Sequence, residues 1–414
     1  MHLVHSLIQR LLPLAAALML LGAVFVSLPQ AASAQDGIPQ VSDELLEEAL
    51  SLAGGNRGEL EAALGWCNQK PYSMQAMRFV IANLPLADLG VITDDLLIEH
   101  VELAIVVSGE MPYAASYDEA TWAHYVLAPR VSQEPLEPWR SYFHKALADE
   151  VRDCQTLQAA TVRVKQWVGQ RIKFKQTQRR DQGPLTTLRG TYGRCEELMT
   201  VEICALRAVG IPARNAFCPW WAHCDNNHAW TEVLMDNGRW YPLGSIKEET
   251  DFGSTWEQSA ARGAPIVCSM CFGLPDSMGP EVLRSKRDTG ARYAQINGID
   301  SYRDPATLTL DLLPAVVAVS DPDRSYKADD TIEHFLFVHV FNYGALRPVA
   351  KVPLSPEAEV SIQLGSGRYV LSTDAPVASR AVWADVSTGE TVDLDWLDLP
   401  EWGEELILEF PKDP

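Results

Sequence analysis

No stretch of this 414-residue chain carries enough positive charge to hold a phosphate backbone: 34 lysines and arginines face 55 aspartates and glutamates, a formal net charge of −21. The densest basic cluster, Lys173 to Arg180, is too short to reverse that field locally, so nucleic acid is excluded as a partner and the acidity is read as solubility. Beyond the first 34 residues no apolar run is long enough to span a bilayer, so no stable membrane span is expected after signal cleavage. Cysteine is sparse, 8 residues in all, too few in so long a chain to demand a disulfide scaffold. Cys268-Ser269-Met270-Cys271 has CxxC spacing without a redox-fold context, which leaves a disulfide or two buried thiols open. No repeat of fixed period and no low-complexity tract is present. What remains is ordinary globular composition, 47% hydrophobic and 21% charged, at a length that suits two or three domains.

Residues 1–34 have the parts of an export signal. Arg10 supplies the positive charge, Leu11 to Val26 is apolar apart from Pro13 and Gly22, and Ala32-Ser33-Ala34 fits a small-residue cleavage site. The mature protein is therefore expected to be secreted or periplasmic. The length of the apolar run keeps an uncleaved membrane anchor as the alternative, and the lack of a cysteine at the cleavage site argues against a lipid anchor.

Along the chain, residues 35–145 read as a helical region, 146–300 as a mixed core and 301–414 as a β-domain. Leu45, Leu46, Ala49, Leu50 and then Leu60, Ala63, Leu64 recur at helical spacing, with Asp43 as N-cap and Gly54-Gly55 as stop. A further helical stretch is expected from Ala146 to Ile172. Glu196 to Val209 predicts a helix ended by Gly210 and Pro212. Strands are expected at Ala213 to Cys218, His228 to Met235 and Arg239 to Leu243, the last two joined by Asp236-Asn237-Gly238, a strong hairpin signal. From Ala306 onward, Leu308 to Leu310, Phe335 to Phe341, Val360 to Leu364, Tyr369 to Ser372 and Leu406 to Phe410 predict a small β-sandwich, with the Phe335 strand covered on both sides.

The chemistry centres on Cys195, which stands immediately before a predicted helix. There the free backbone N–H groups and the macrodipole favour a thiolate, and a nearby imidazole can take and return the proton. Alone, a cysteine at a helix start is more often structural. His228, opening a strand expected to pack on that helix, completes the two-part geometry of papain-type nucleophiles. Cys218, His223, Cys224 and His228 also raise a zinc site, but their Cys-x4-His-Cys-x3-His spacing does not match the paired arrangements of such sites. Cys218 and Cys224 could instead pair as a loop disulfide. No metal and no cofactor are expected. Trp220, Trp221 and Trp230 flank the site as core cover or as a groove wall, and Tyr192 is a candidate site-lining hydrogen-bond group.

Gly193-Arg194-Cys195-Glu196-Glu197, Ala205 to Arg214, His228-Ala229-Trp230-Thr231-Glu232-Val233 and Gly238-Arg239-Trp240-Tyr241 together resemble the transglutaminase-like superfamily. The segment from Tyr125 to Arg140 and the stretch Pro219 to His228 are similar to bacterial secreted members with a helical N-terminal region and a C-terminal β-domain. The resemblance is strong from about Ala159 to Leu243 and weak beyond Thr250. It implies an α+β protein with a papain-like core, a helix on an antiparallel sheet. It also implies an enzyme that acts on amide or peptide bonds through a thioester: Cys195 attacks, its backbone N–H helps hold the oxyanion, and His228 serves as base and then acid. A protein or peptide substrate follows, with the cell envelope as a possible source. Peptidase or amidase action is favoured over cross-linking, because nothing specifies an amine acceptor. One residue departs from the pattern. Where the family places an aspartate to orient the histidine, this chain has Gly244, and Asp225, Asn226, Asn227 and Glu248 are the candidates to replace it. The departure leaves an inactive, partner-binding module as the alternative.

Overall fold

The computed structural model describes residues 37–177, 181–244, 252, 254–274, 282–286, 293–311, 335–353, 359–373 and 381–395. The export segment, Glu248 and the strand expected at Leu406 to Phe410 lie outside the described residues.

The first part is helical, as its apolar spacing dictates: α1 (Asp43–Leu52), α2 (Arg57–Trp66), α3 (Pro71–Asn83), the single turn α4 (Leu86–Leu89), α5 (Asp94–Glu110) and α6 (Glu119–Trp122). Leu60, Ala63, Met77, Val80, Leu97 and Ala104 fill their shared core. The N-cap of α1 is Ser42 rather than Asp43. The Ser42 hydroxyl accepts from the Leu45 amide at 3.2 Å, and Asp43 falls in the first turn, where its charge meets the positive end of the helix dipole.

The stretch expected as one helix from Ala146 to Ile172 is two, α7 (Trp139–Val151) and α8 (Leu157–Gly169). Thr156 adopts an extended backbone and its hydroxyl accepts from the Ala159 amide at 3.1 Å, so it caps a new helix. Such a cap is worth about 1 kcal/mol. The apolar period runs through both helices and hides the break.

The mixed core then follows. After β1 (Lys173–Phe174), α9 (Pro184–Gly190) and β2 (Tyr192–Gly193) comes α10 (Cys195–Arg207), whose Val201, Cys204, Ala205 and Leu206 are buried. It packs on β3 (Ala213–Cys218) and β4 (His228–Leu234), and β5 (Trp240–Pro242) closes the expected hairpin at Gly238, φ +73°. The sheet is larger than expected. After α11 (Trp256–Ala260), β6 (Cys268–Phe272), β7 (Val282–Lys286) and β8 (Tyr293–Asn297) extend it in the order β5-β4-β3-β6-β8-β7, antiparallel throughout. Cys268 and Cys271 are free, buried thiols of β6.

The C-terminal β-sandwich stacks β11 (Ala345–Pro353), β10 (Phe335–Asn342), β13 (Gly367–Thr373) and β14 (Ala381–Val386) on β12 (Glu359–Leu364), β9 (Ala306–Asp311) and β15 (Thr391–Asp395). Leu308, Leu310, Leu336, Val338, Leu371 and Val382 share its core. β10 is buried on one face and partly covered on the other: Leu336, Val338 and Val340 are buried, Phe335, Phe337 and His339 are half-buried, and Phe341 is exposed. At Gly365 the sandwich meets the segment before β6, and a Cβ there would lie 2.1 Å from the Ala264 carbonyl oxygen. Only glycine fits.

Candidate active site

The helix that Cys195 opens is started by a buried carboxylate. Glu197, in the first turn of α10, accepts from the Arg194 amide at 2.9 Å, the Thr177 hydroxyl at 3.0 Å and the Gln182 amide and side-chain Nε2 at 3.3 Å each. Gln182 is thereby committed to Glu197. Gly193 permits the approach, since a Cβ there would lie 2.8 Å from Glu197 Cβ. The sequence G-R-C-E-E thus encodes a glycine and a capping carboxylate that fix Cys195 as the first residue of α10.

The thiol itself is not activated in this arrangement. Cys195 Sγ donates to Glu196 Oε2 at 3.2 Å. Burial pushes the thiol up to about 11, the Glu196 carboxylate reinforces the shift by charge and hydrogen bond, and the Ala229 and Glu196 amides offset only part of it. The helix start was expected to favour a thiolate; in this arrangement burial and the adjacent anion act against it.

His228 opens β4, and the pleat explains its surroundings. Ala229 and Val233 pack toward α10, while Trp230 joins the core on the other face with Trp221 and Tyr302. The His228 ring stacks on Trp230 at 5.7 Å and meets the edge of Trp256 at 5.0 Å. Cys195 and His228 line one cavity of about 640 Å³, within the usual range for a ligand site. Among the described residues no hydrogen bond joins Sγ to the ring.

A buried carboxylate without a counterpart among the sequence candidates faces the imidazole. Glu257 of α11, 7% exposed, brings Oε1 to 4.0 Å from His228 Nε2, and neither Nε2 nor the other Glu257 oxygen has a hydrogen-bond partner. Gly244 lines the same cavity in a left-handed conformation at φ +75°. Of the candidates named for the missing aspartate, Asp225 instead accepts from the Tyr343 amide at 2.6 Å, in the sandwich's β10–β11 turn. Asn227 lines an adjoining cavity of about 270 Å³ with His228. No signal pointed to Glu257, which lies twenty-nine positions after the histidine (257 − 228) on a one-turn helix.

A second carboxyl shares the cavity. Glu202 faces it from seven residues beyond Cys195, on the same side of α10, and accepts from the Thr231 hydroxyl at 2.8 Å. Burial raises it to about 7; Thr231 and the Lys165 ammonium oppose the shift and Glu257 adds to it. Lys165 donates to the Leu243 carbonyl at 2.8 Å.

The aromatic residues divide differently from expectation. Trp230 lines the cavity and donates through Nε1 to Tyr302 at 2.8 Å. Tyr302 donates to Glu232, which also pairs with Arg214 at 2.6 Å. Trp221 is buried against Trp230, and Trp220 packs on the β-sandwich core with Arg347 over its ring, so neither is among the residues lining the cavity. The exposed aromatics at the cavity are Phe174, in its lining, and Trp256, against His228. Tyr192 is exposed beneath Lys175 and lies outside the residues lining the cavity. Cys218 and Cys224 are both free thiols.

Residues 145–245 match the family model of the transglutaminase-like superfamily. The core is transglutaminase-like. Within this transglutaminase-like core fall Cys195, His228, Glu202 and Gly244, whereas Glu257 lies beyond the matched span. Among solved structures, a candidate cysteine protease from Cytophaga hutchinsonii is similar at 14% identity and a TM-score of 0.25, over 41% of this chain and 61% of that one. A likeness so slight carries nothing about chemistry. No curated protein matches the chain.

Proposed function

We propose that the protein is an exported cysteine enzyme that hydrolyses amide or peptide bonds through a thioester. The observation that carries this reading is the convergence of Cys195, His228 and the Glu257 carboxylate on one cavity. In the reactive arrangement Sγ leaves Glu196 and turns to the imidazole, which takes its proton. Sulfur then adds to the carbonyl carbon, with the Cys195 backbone N–H facing the oxyanion. The C–N bond breaks, the imidazolium protonates the leaving amine, and a thioester remains. Water, deprotonated by the same ring, adds to the thioester; the acid departs and the thiol is restored. Glu257 is a positioning residue that holds the ring and stabilises its charged form. Residues 1–34 support export, which would bring the site to peptides of the cell envelope or the medium.

One set of observations favours a second reading, a module that binds a peptide or glycan without turnover. Gly244 stands where an orienting aspartate belongs, and the Cys195 thiol is high and turned to Glu196. A peptide-library cleavage assay on the mature protein separates the two. Hydrolysis abolished in both Cys195→Ala and His228→Ala supports the enzyme. No cleavage by the wild-type protein, with peptide binding retained, supports the module.

A further inference from the structure

A third cavity, of about 240 Å³, lies at the far end of the nucleophile helix. Arg207, the last residue of α10, lines it together with Gln133, Asn215 and Gln295. Arg207 is 2% exposed, and its guanidinium bonds go to neutral carbonyls: Nε and Nη2 to Ala213, Nη1 to Ala128 and Arg130. Of its five N–H groups, one on Nη2 has no partner among the described residues. Arg140, also buried, donates to the Arg207 carbonyl at 2.9 Å, so a second cation stands at the same helix end. Among the described residues neither guanidinium has a carboxylate within ion-pair distance. Glu134 acts on Arg207 at longer range, with its oxygens held by the Val131 and Ser132 amides at 2.8 Å. Arg130, also in the lining, is already paired with Asp88. Against these two cations stand the Glu134 carboxylate, toward Arg207, the Glu99 carboxylate, toward Arg140, both beyond ion-pair distance among the described residues, and roughly half a negative charge from the helix dipole. Burial lowers Arg207 to about 10. A buried cation ordinarily has a counter-ion, and here the open side of the cavity is where one would sit.

This cavity adjoins the active site. It shares Ser132, Gln133, Asn215 and Phe217 with the 270 Å³ cavity, which in turn shares Met199, His228 and Ala229 with the cavity of Cys195. Twelve residues of helix separate Cys195 from Arg207 (207 − 195), a rise of about 18 Å. An extended peptide covers that in about five residues.

We propose that the Arg207 cavity is a subsite for a carboxylate of the substrate chain, four to six residues or so from the bond cut at Cys195. The subsite rests on the hydrolase reading and gives it a substrate class: extended peptides that carry an acid on one side of the scissile bond. The carboxylate comes from a chain terminus or from an acidic side chain, and the two are separable.

Binding to the Cys195→Ala protein, followed by calorimetry, needs no turnover. The probes are acetyl-hexaalanine as the free acid, the same peptide as its terminal amide, and an amidated peptide of that length with glutamate at its last position. The free acid or the glutamate peptide binds about tenfold or more tightly than the plain amide, and whichever does so names the source of the carboxylate. Gln133→Glu, at an exposed position shared by two of the cavities, brings the ratio toward one without removing the buried arginine. Equal affinity for all three peptides overturns the subsite, as does an acid preference that Gln133→Glu leaves untouched. If the wild-type protein hydrolyses nothing while the acid preference stands, the hydrolase reading falls and the carboxylate site remains.

Discussion

Glu202→Gln tests the electrostatics of the cavity most directly. Burial carries this carboxyl from its ordinary value of 4.5 to about 7, against the pull of Thr231 and Lys165. At about 1.4 kcal/mol per pH unit, ionising it in the folded state costs about 3 kcal/mol relative to the unfolded chain. The sign follows from proton uptake. Between pH 4.5 and 7 the folded protein binds the proton and the unfolded chain does not, so stability falls as pH rises through that window and levels off above it. Glutamine mimics the protonated form and keeps an oxygen to accept from Thr231. The variant should therefore match wild type near pH 4.5 and exceed it by about 3 kcal/mol at pH 8. Urea unfolding of both proteins at pH 4.5, 6 and 8, read by tryptophan fluorescence, gives the difference at each pH while cancelling every other titrating group. A difference that stays flat with pH, or a glutamine variant weaker at pH 8, refutes the account of Glu202 as a carboxyl held neutral by burial.

Glu257→Gln should lower kcat by about 10² to 10⁴ with little change in KM, because the ring loses its carboxylate but not its place in the cavity; equal losses in a Glu257→Asp variant would indicate packing instead. Glu196→Gln removes an anion that holds the Cys195 proton, so iodoacetamide should modify Cys195 several-fold faster at pH 8, read by peptide mass spectrometry, and an unchanged rate would count against the contact. Glu232→Ala leaves Arg214 as an unpaired buried cation and Tyr302 without its acceptor, and denaturant unfolding should record a loss of about 3 to 5 kcal/mol. Gly193→Ala drives a methyl group against Glu197, and thermal unfolding should show a lower midpoint together with loss of whatever activity the wild type has.

Local order was written in the sequence wherever one short-range force set it. The 3.6-residue apolar period gave the helices of the first part, Asn237-Gly238 gave the β4–β5 hairpin, and the run from Glu196 to Val209 gave a helix with the Cys195 sulfur at its start. Alternation along β10 likewise announced a strand, although its exposed Phe341 looked like a residue to be covered. The sequence by itself therefore determined the element types, the place of Cys195 at a helix start and the strand that carries His228. Only the tertiary structure decided what surrounds them. Strands β6 to β8 join the sheet through pairing partners far away in the chain, and α11 delivers Glu257 to His228 from beyond a connection that carries no motif. The burial of the Cys195 thiol was decided there too, since burial is a sum over the packed molecule, whereas a cap or a turn is settled within four residues.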